Sequence, residues 1–185
     1  MIRKIGPLVA AVMLLGALDA TAQKSKAKNA TVVDYLPSEA LAGVSIGMHW
    51  DSLRSLFGFS ESDLEFDPYD SVTKVTRFFP PGSDPDELAS AAFYFPAAIE
   101  ELPPNARLFQ VVLEFAGESA NQFAWKYRDD PKMKSKLTED GWQWRTKPSR
   151  PAGLEVLISL RGSFITVTGT MRGKSLKELP SSRHP

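Results

Sequence analysis

Few residues in this chain could carry out covalent chemistry. There are two histidines, His49 and His184, and no cysteine in 185 residues. A thiolate nucleophile, a thiolate metal site and a lipid-bearing N-terminal cysteine are therefore excluded. His184 lies one residue from the end, where no core can hold it, and His49 stands at the start of a short helical pattern. One usable imidazole cannot build a histidine metal cage, and no acidic partner sits at a ligand spacing. His49 reads as a surface or helix-start residue with no catalytic part. The serines lack a Gly-x-Ser-x-Gly elbow. Ser-x-x-Lys occurs at Ser25 with Lys28 and at Ser71 with Lys74, without the motifs that accompany it in acyl-transfer enzymes. No glycine-rich loop could cradle a phosphate. The sequence predicts no catalytic, cofactor-binding or metal-binding residue.

Two acidic clusters, Glu65-Phe66-Asp67 with Asp70 and Asp84-Pro85-Asp86-Glu87, could meet calcium outside a cell. Neither has the spacing of a known calcium loop, and Asp, Pro and Ser favour turns, so both read as solvated turns. The aromatic residues say more. Trp142 and Trp144 are two apart on a predicted strand and share a face. If that face is core, they are packing, which is the favoured reading. If it is open, two indoles form a binding platform of the kind found at interface hot spots. They are the candidate interaction surface.

The elements that would position these residues follow from patterning. Met1-Ile2-Arg3-Lys4 is basic, Ile5 to Leu18 is apolar, and Ala20-Thr21-Ala22 is a small-x-small site. These are the parts of a cleavable signal peptide over 1–22, with an apolar run too short for the about 20 residues that span a bilayer. The expectation is a soluble protein in the periplasm or the medium, with no transmembrane segment. Removing Arg3, Lys4 and Asp19 with the leader leaves 20 basic and 21 acidic residues. That balance lacks the basic surplus needed for nucleic-acid binding.

Residues 23–38 read as a flexible arm containing Lys24, Lys26 and Lys28, residues 39–170 as one globular α+β domain, and residues 171–185 as a disordered tail. Within the domain, Gly47-Met48-His49-Trp50-Asp51-Ser52-Leu53-Arg54-Ser55-Leu56-Phe57-Gly58 predicts a short helix. Trp50, Leu53, Leu56 and Phe57 lie on one face, Asp51 in the first turn, and Gly58 is a left-handed stop. Strands are predicted over 72–79, 91–95 and 108–115. In the last of these, Phe109, Val111, Leu113 and Phe115 point one way and Gln110 and Glu114 the other. A second helix is predicted from 118, broken at Asp130-Pro131 and resuming over 132–137. Strands at 142–146, 154–160 and 163–168 follow, the last two forming a hairpin. The halves 39–116 and 117–170 thus read as two tandem helix-then-three-strand units. Short connections predict an antiparallel sheet, with helices on one face.

The stretch Gly47-Met48-x4-Leu53-x2-Leu56-Phe57-Gly58 resembles a motif of the small periplasmic lipoproteins of the outer-membrane β-barrel assembly machinery. The doubled unit is similar to the fold of β-lactamase-inhibitor protein. The resemblance implies a non-catalytic module that acts by contacting another exported or envelope protein. Gly47, Met48, Leu53 and Gly58 would be structural within it. The second reading is a carrier of a small ligand or lipid, with an apolar cavity between sheet and helices.

Overall fold

The computed structural model describes residues 39–96, 102, 106–128, 133–148, 153–171 and 174–178. The predicted signal peptide and arm, and residues 179–185 of the predicted tail, lie outside the described residues. The order is α1 (Trp50–Phe57), β1 (Leu64–Asp67), β2 (Val72–Phe78), β3 (Leu88–Phe95), β4 (Gln110–Phe115), α2 (Ser119–Arg128), β5 (Met133–Thr138), β6 (Gly141–Thr146), β7 (Leu154–Arg161), β8 (Phe164–Met171) and β9 (Lys174–Ser175). The strands form one antiparallel sheet in the order β1-β2-β3-β4-β8-β7-β6-β5, with β9 paired to β8. The chain is mixed α and β with an antiparallel sheet, as the sequence predicts. The strand order is mirrored about the β4–β8 seam: β1 to β4 run inward from one edge and β5 to β8 inward from the other.

Alternation builds the core. In β4, Val111, Leu113 and Phe115 are buried while Gln110, Val112 and Glu114 are half-buried. Opposed residues in an antiparallel pair share a face. The register carries one row across the whole sheet: Leu64, Val75, Phe93, Val111, Val167, Ile158, Trp144 and Ser135. From Val75 to Trp144 that row is buried. Both helices contribute aromatic contacts to it or beside it. Trp50 of α1 meets Phe95 edge-on at 5.6 Å, Phe57 meets Phe93 at 5.4 Å, and Tyr127 of α2 meets Trp144 at 5.5 Å.

Four expectations change. The predicted helical turns over 132–137 are the edge strand β5. Met133, Ser135 and Leu137 alternate with Lys134, Lys136 and Thr138, and a hairpin through Gly141 pairs them with β6. The stretch containing Glu65, Phe66 and Asp67, read as a solvated turn, forms strand β1, paired with β2 from Leu64↔Val75 to Asp67↔Val72. Thus α1 is followed by four strands and α2 by four on the main path of the sheet and then β9, not by three each. The tail predicted from 171 starts too early. Met171 ends β8, β9 follows, and Leu176 is fully buried. A Cβ on Gly169 would run into Ile46 and Leu176, so β8 is glycine there because two apolar side chains lie directly on its backbone. Leu56, predicted on the buried face of α1, is exposed.

The Gly-Met segment is structural. Gly47 has φ 87°, a left-handed conformation that a side chain would strain. Its N–H donates to the carbonyl of Leu108 at 2.7 Å, the Leu108 N–H donates to Met48 at 2.8 Å, and the Trp50 N–H donates to Ala106 at 2.8 Å. The Arg107 guanidinium donates to the Gly47 carbonyl at 3.0 Å. The motif is thereby zipped to the strand that enters β4, and α1 starts at a fixed place. Met48 packs against the core, Leu53 is buried, and Gly58 ends the helix at φ 71°, its N–H donating to the Arg54 carbonyl at 2.8 Å.

Candidate functional site

A groove of about 320 Å³ lies between α2 and the β6–β7 pair, lined by Asn121, Ala124, Arg128, Trp142, Trp144 and Leu160. Helical spacing places Asn121, Ala124 and Arg128 in line along one side of α2. On the sheet, Trp142 and Trp144 share a face, and Leu160 stands directly opposite Trp142. The groove stays open because α2 brings a small residue, Ala124, to its wall. Ala124 is buried where a larger side chain would fill the space.

The two tryptophans, predicted together, stand in different environments. Trp144 is 3% exposed and Trp142 43%. Their rings stack with centroids 6.3 Å apart and planes 22° from parallel. Trp144 is pressed between Tyr127 and Trp142, and its indole Nε1 has no hydrogen-bond acceptor among the described residues. Trp142 lies farther toward the hairpin end of β6, opposite exposed Leu137 of the edge strand, so one of its faces stays open. The structure divides the pair: Trp144 is buried and Trp142 is exposed, joined by a stack. The sequence identifies the shared face but not this division, in which Tyr127 of α2 meets Trp144.

The groove's polar groups are few. Arg128 at the end of α2 supplies a cation and Asn121 an amide, against apolar walls from Ala124, Leu160 and the two indoles. Burial pushes the Tyr127 phenol far above its usual range, with the negative charge of Asp86 adding to the effect. The hydroxyl beneath Trp144 therefore stays protonated and cannot act as a base near neutral pH. The arrangement suits holding an apolar or aromatic group edged by an anion or a hydrogen-bonding group. It presents no nucleophile–base pair. Asn121, Ala124, Arg128 and Leu160 were not singled out from the sequence. Only the line of 121, 124 and 128 on a helix could have pointed to them, and a helix of this composition has many such lines.

The other residues considered from the sequence are apart from the groove. His49 is the N-cap of α1, in extended conformation, with no side-chain cap bond, and its backbone bridges to Arg107. The first acidic cluster spans strand β1 and the turn that leads into β2. Asp67 Oδ1 accepts from the N–H groups of Tyr69 at 2.9 Å and Asp70 at 3.3 Å, while Glu65 pairs with Lys74 at 2.9 Å. In the second cluster, Asp84 Oδ1 accepts from the Asp86 N–H at 2.9 Å, Glu87 accepts from the Ser119 hydroxyl, and Asp84 is buried. Among the described residues, no three His, Cys, Asp or Glu side chains converge as a metal site would require. Ser71 sits in a turn with φ 49°, and Lys74 of its Ser-x-x-Lys is taken by Glu65. Among the described residues, no helix is long and apolar enough to cross a membrane. Comparison of the chain with protein-family models, with curated proteins and with solved structures gives no match.

Proposed function

We propose that this chain is an exported, non-catalytic protein-interaction module that receives an apolar or aromatic side chain of an envelope or secreted partner in the groove beside Trp142. One observation carries the reading: a half-exposed Trp142 stacked on a buried Trp144 at the mouth of an apolar groove. An indole fixed by a stack loses little freedom on binding and presents a large apolar area, which is why tryptophan dominates interface hot spots. Export rests on the basic, apolar and small-x-small segments of residues 1–22. The helices, in this reading, cover one face of the sheet as two tandem units. The mirrored strand order and the aromatic contacts of Trp50, Phe57 and Tyr127 with that face support it. The likeness to the assembly lipoproteins and to the β-lactamase-inhibitor-protein fold points to the same class, by analogy.

The test is co-purification of the natural protein and a Trp142→Ala variant from the native envelope. A specific partner held by the former and lost by the latter supports the reading. A partner retained equally by both removes the groove from it. A second reading, a small-ligand carrier, is favoured by the volume of the groove, at the lower end of ligand-binding cavities. Native mass spectrometry of the purified protein separates the two: a retained small apolar ligand supports the carrier, and its absence alongside a co-purified protein supports the module.

A further inference from the structure

The path of the sheet ends on two strands, β1 and β5, each paired on one side only among the described residues. Their sequences are complementary. In β1, Leu-Glu-Phe-Asp, the register puts Leu64 and Phe66 on the face of Phe93 and Trp144, and Glu65 and Asp67 on the opposite face. In β5, Met-Lys-Ser-Lys-Leu-Thr, Met133, Ser135 and Leu137 lie on the face of Trp144, and Lys134 and Lys136 on the opposite one. Acidic and apolar residues alternate on one edge, and basic and mostly apolar residues on the other, in matching phase. Phe66 is 41% exposed and Leu137 63%, so both edges leave apolar area uncovered.

We infer that β1 of one copy of this chain pairs with β5 of another, continuing the sheet from molecule to molecule. The topology permits this without reorienting either copy. Every neighbour along the eight-strand path is antiparallel, so β1 and β5 run in opposite directions. A copy displaced along the sheet therefore presents its β1 antiparallel to β5, with the face of Phe93 and Trp144 on the same side in both. One register places both charge pairs, with Glu65 shared between Lys136 and the Lys74 that it already meets in its own chain. Glu65 opposite Lys136 brings Asp67 opposite Lys134, and the same register sets Leu64 opposite Leu137 and Phe66 opposite Ser135. Cross-strand pairs of opposite charge and of apolar residues both favour such pairing. A lysine-bearing edge normally discourages strand addition, but here the second edge of the same chain supplies the countercharge. The contact is head-to-tail and heterologous, so association is open-ended. A contact limited to the four residues of β1 makes it weak, concentration-dependent and sensitive to salt.

The experiment is sedimentation velocity on the mature chain at low and high salt. The natural protein is expected to associate as its concentration rises at low salt and to dissociate at high salt. Two charge-reversed variants are needed, Glu65→Lys with Asp67→Lys and Lys134→Glu with Lys136→Glu. Each is expected to weaken association at least tenfold, because each then carries two edges of like charge. An equimolar mixture of the two restores opposite charges at every contact and is expected to regain association. Glu65→Gln with Asp67→Asn gives a milder version if charge reversal perturbs the β1–β2 hairpin, and circular dichroism checks the fold of each. A natural protein that stays monomeric at millimolar concentration in low salt overturns the inference. So does a mixture that stays monomeric while each variant is folded, or a reversed variant that associates like the natural chain. The last outcome would mean that a different surface holds the copies together.

Discussion

The two halves of the molecule use aromatic residues in opposite ways. Beneath α1, Trp50, Phe57, Phe59, Phe93 and Phe95 form a chain of ring contacts between 5.4 and 6.3 Å. Trp50 is 1% exposed. Beside α2, Tyr127, Trp144 and Trp142 form a similar chain, but it runs out to the surface and ends at a groove. The difference begins in the helices. Among the described side chains, α1 brings Trp50 and Leu53 to the interior, whereas α2 brings Ala120, Ala124 and Tyr127. Ala124 leaves unfilled volume beside Trp142, Trp144 and Leu160. One half is closed by its own side chains, and the other has space and a half-open indole.

Mutations in the two aromatic clusters should therefore have different consequences. The largest effect on stability is expected at Trp50→Ala, which empties the closed cluster and should cost about 3–5 kcal/mol by denaturant unfolding. Trp142→Ala should cost under about 1 kcal/mol in stability, because half of the ring already meets water, while weakening partner binding about 30-fold or more, measured by calorimetry once a partner is isolated. If both substitutions destabilised the fold equally, the contrast between the halves would fail. Ala124→Leu should fill the groove. The expected outcome is a gain of about 0.5–2 kcal/mol in unfolding free energy together with lost partner binding. A loss of stability would show that the groove is tighter than its geometry indicates.

Two smaller effects sharpen the α1 side. Gly58→Ala meets no neighbouring atom but must hold a left-handed backbone, so it should cost about 1 kcal/mol, seen as a lower melting temperature. The hydrogen bond to Glu65 raises the Lys74 ammonium above its usual pKa. A raised pKa means that this stabilisation is full below the unfolded-state value, about 10.4, and fades as pH climbs through the higher folded-state value. The pair is partly exposed, so the contribution is under about 1 kcal/mol. Unfolding free energies of the natural chain and Lys74→Met should differ at pH 8 and converge above pH 11.

Periodicity was the legible part of the fold. The alternation from Phe109 to Phe115 and the hairpin of β7 and β8 need only local chemistry, because a strand with one greasy side has one way to bury it. The two glycines bounding α1 were legible for the same reason, since their backbone angles are close to a property of glycine itself. Strand β1 was obscured because its Glu65 and Asp67 face away from the core and a four-residue alternation resembles a turn. Strand β5 was obscured because an edge strand rich in lysine has the composition of a solvated helix end, and only pairing with β6 distinguishes them. Leu176 looked like a polar tail because one buried leucine among charged neighbours has no period to reveal it.

By itself the sequence determined which residues alternate, where the backbone must turn left-handed, and that Trp142 and Trp144 share a face. Tertiary structure alone decided that one of those tryptophans is covered and the other is not, that Ala124 on α2 leaves a groove beside them, and that the two ends of the sheet carry opposite charges. Local preferences depend on a residue and its near neighbours along the chain. Burial and complementarity depend on what arrives from far along the chain, as Tyr127 does over Trp144 in one ring contact and Leu160 opposite Trp142 in the next strand.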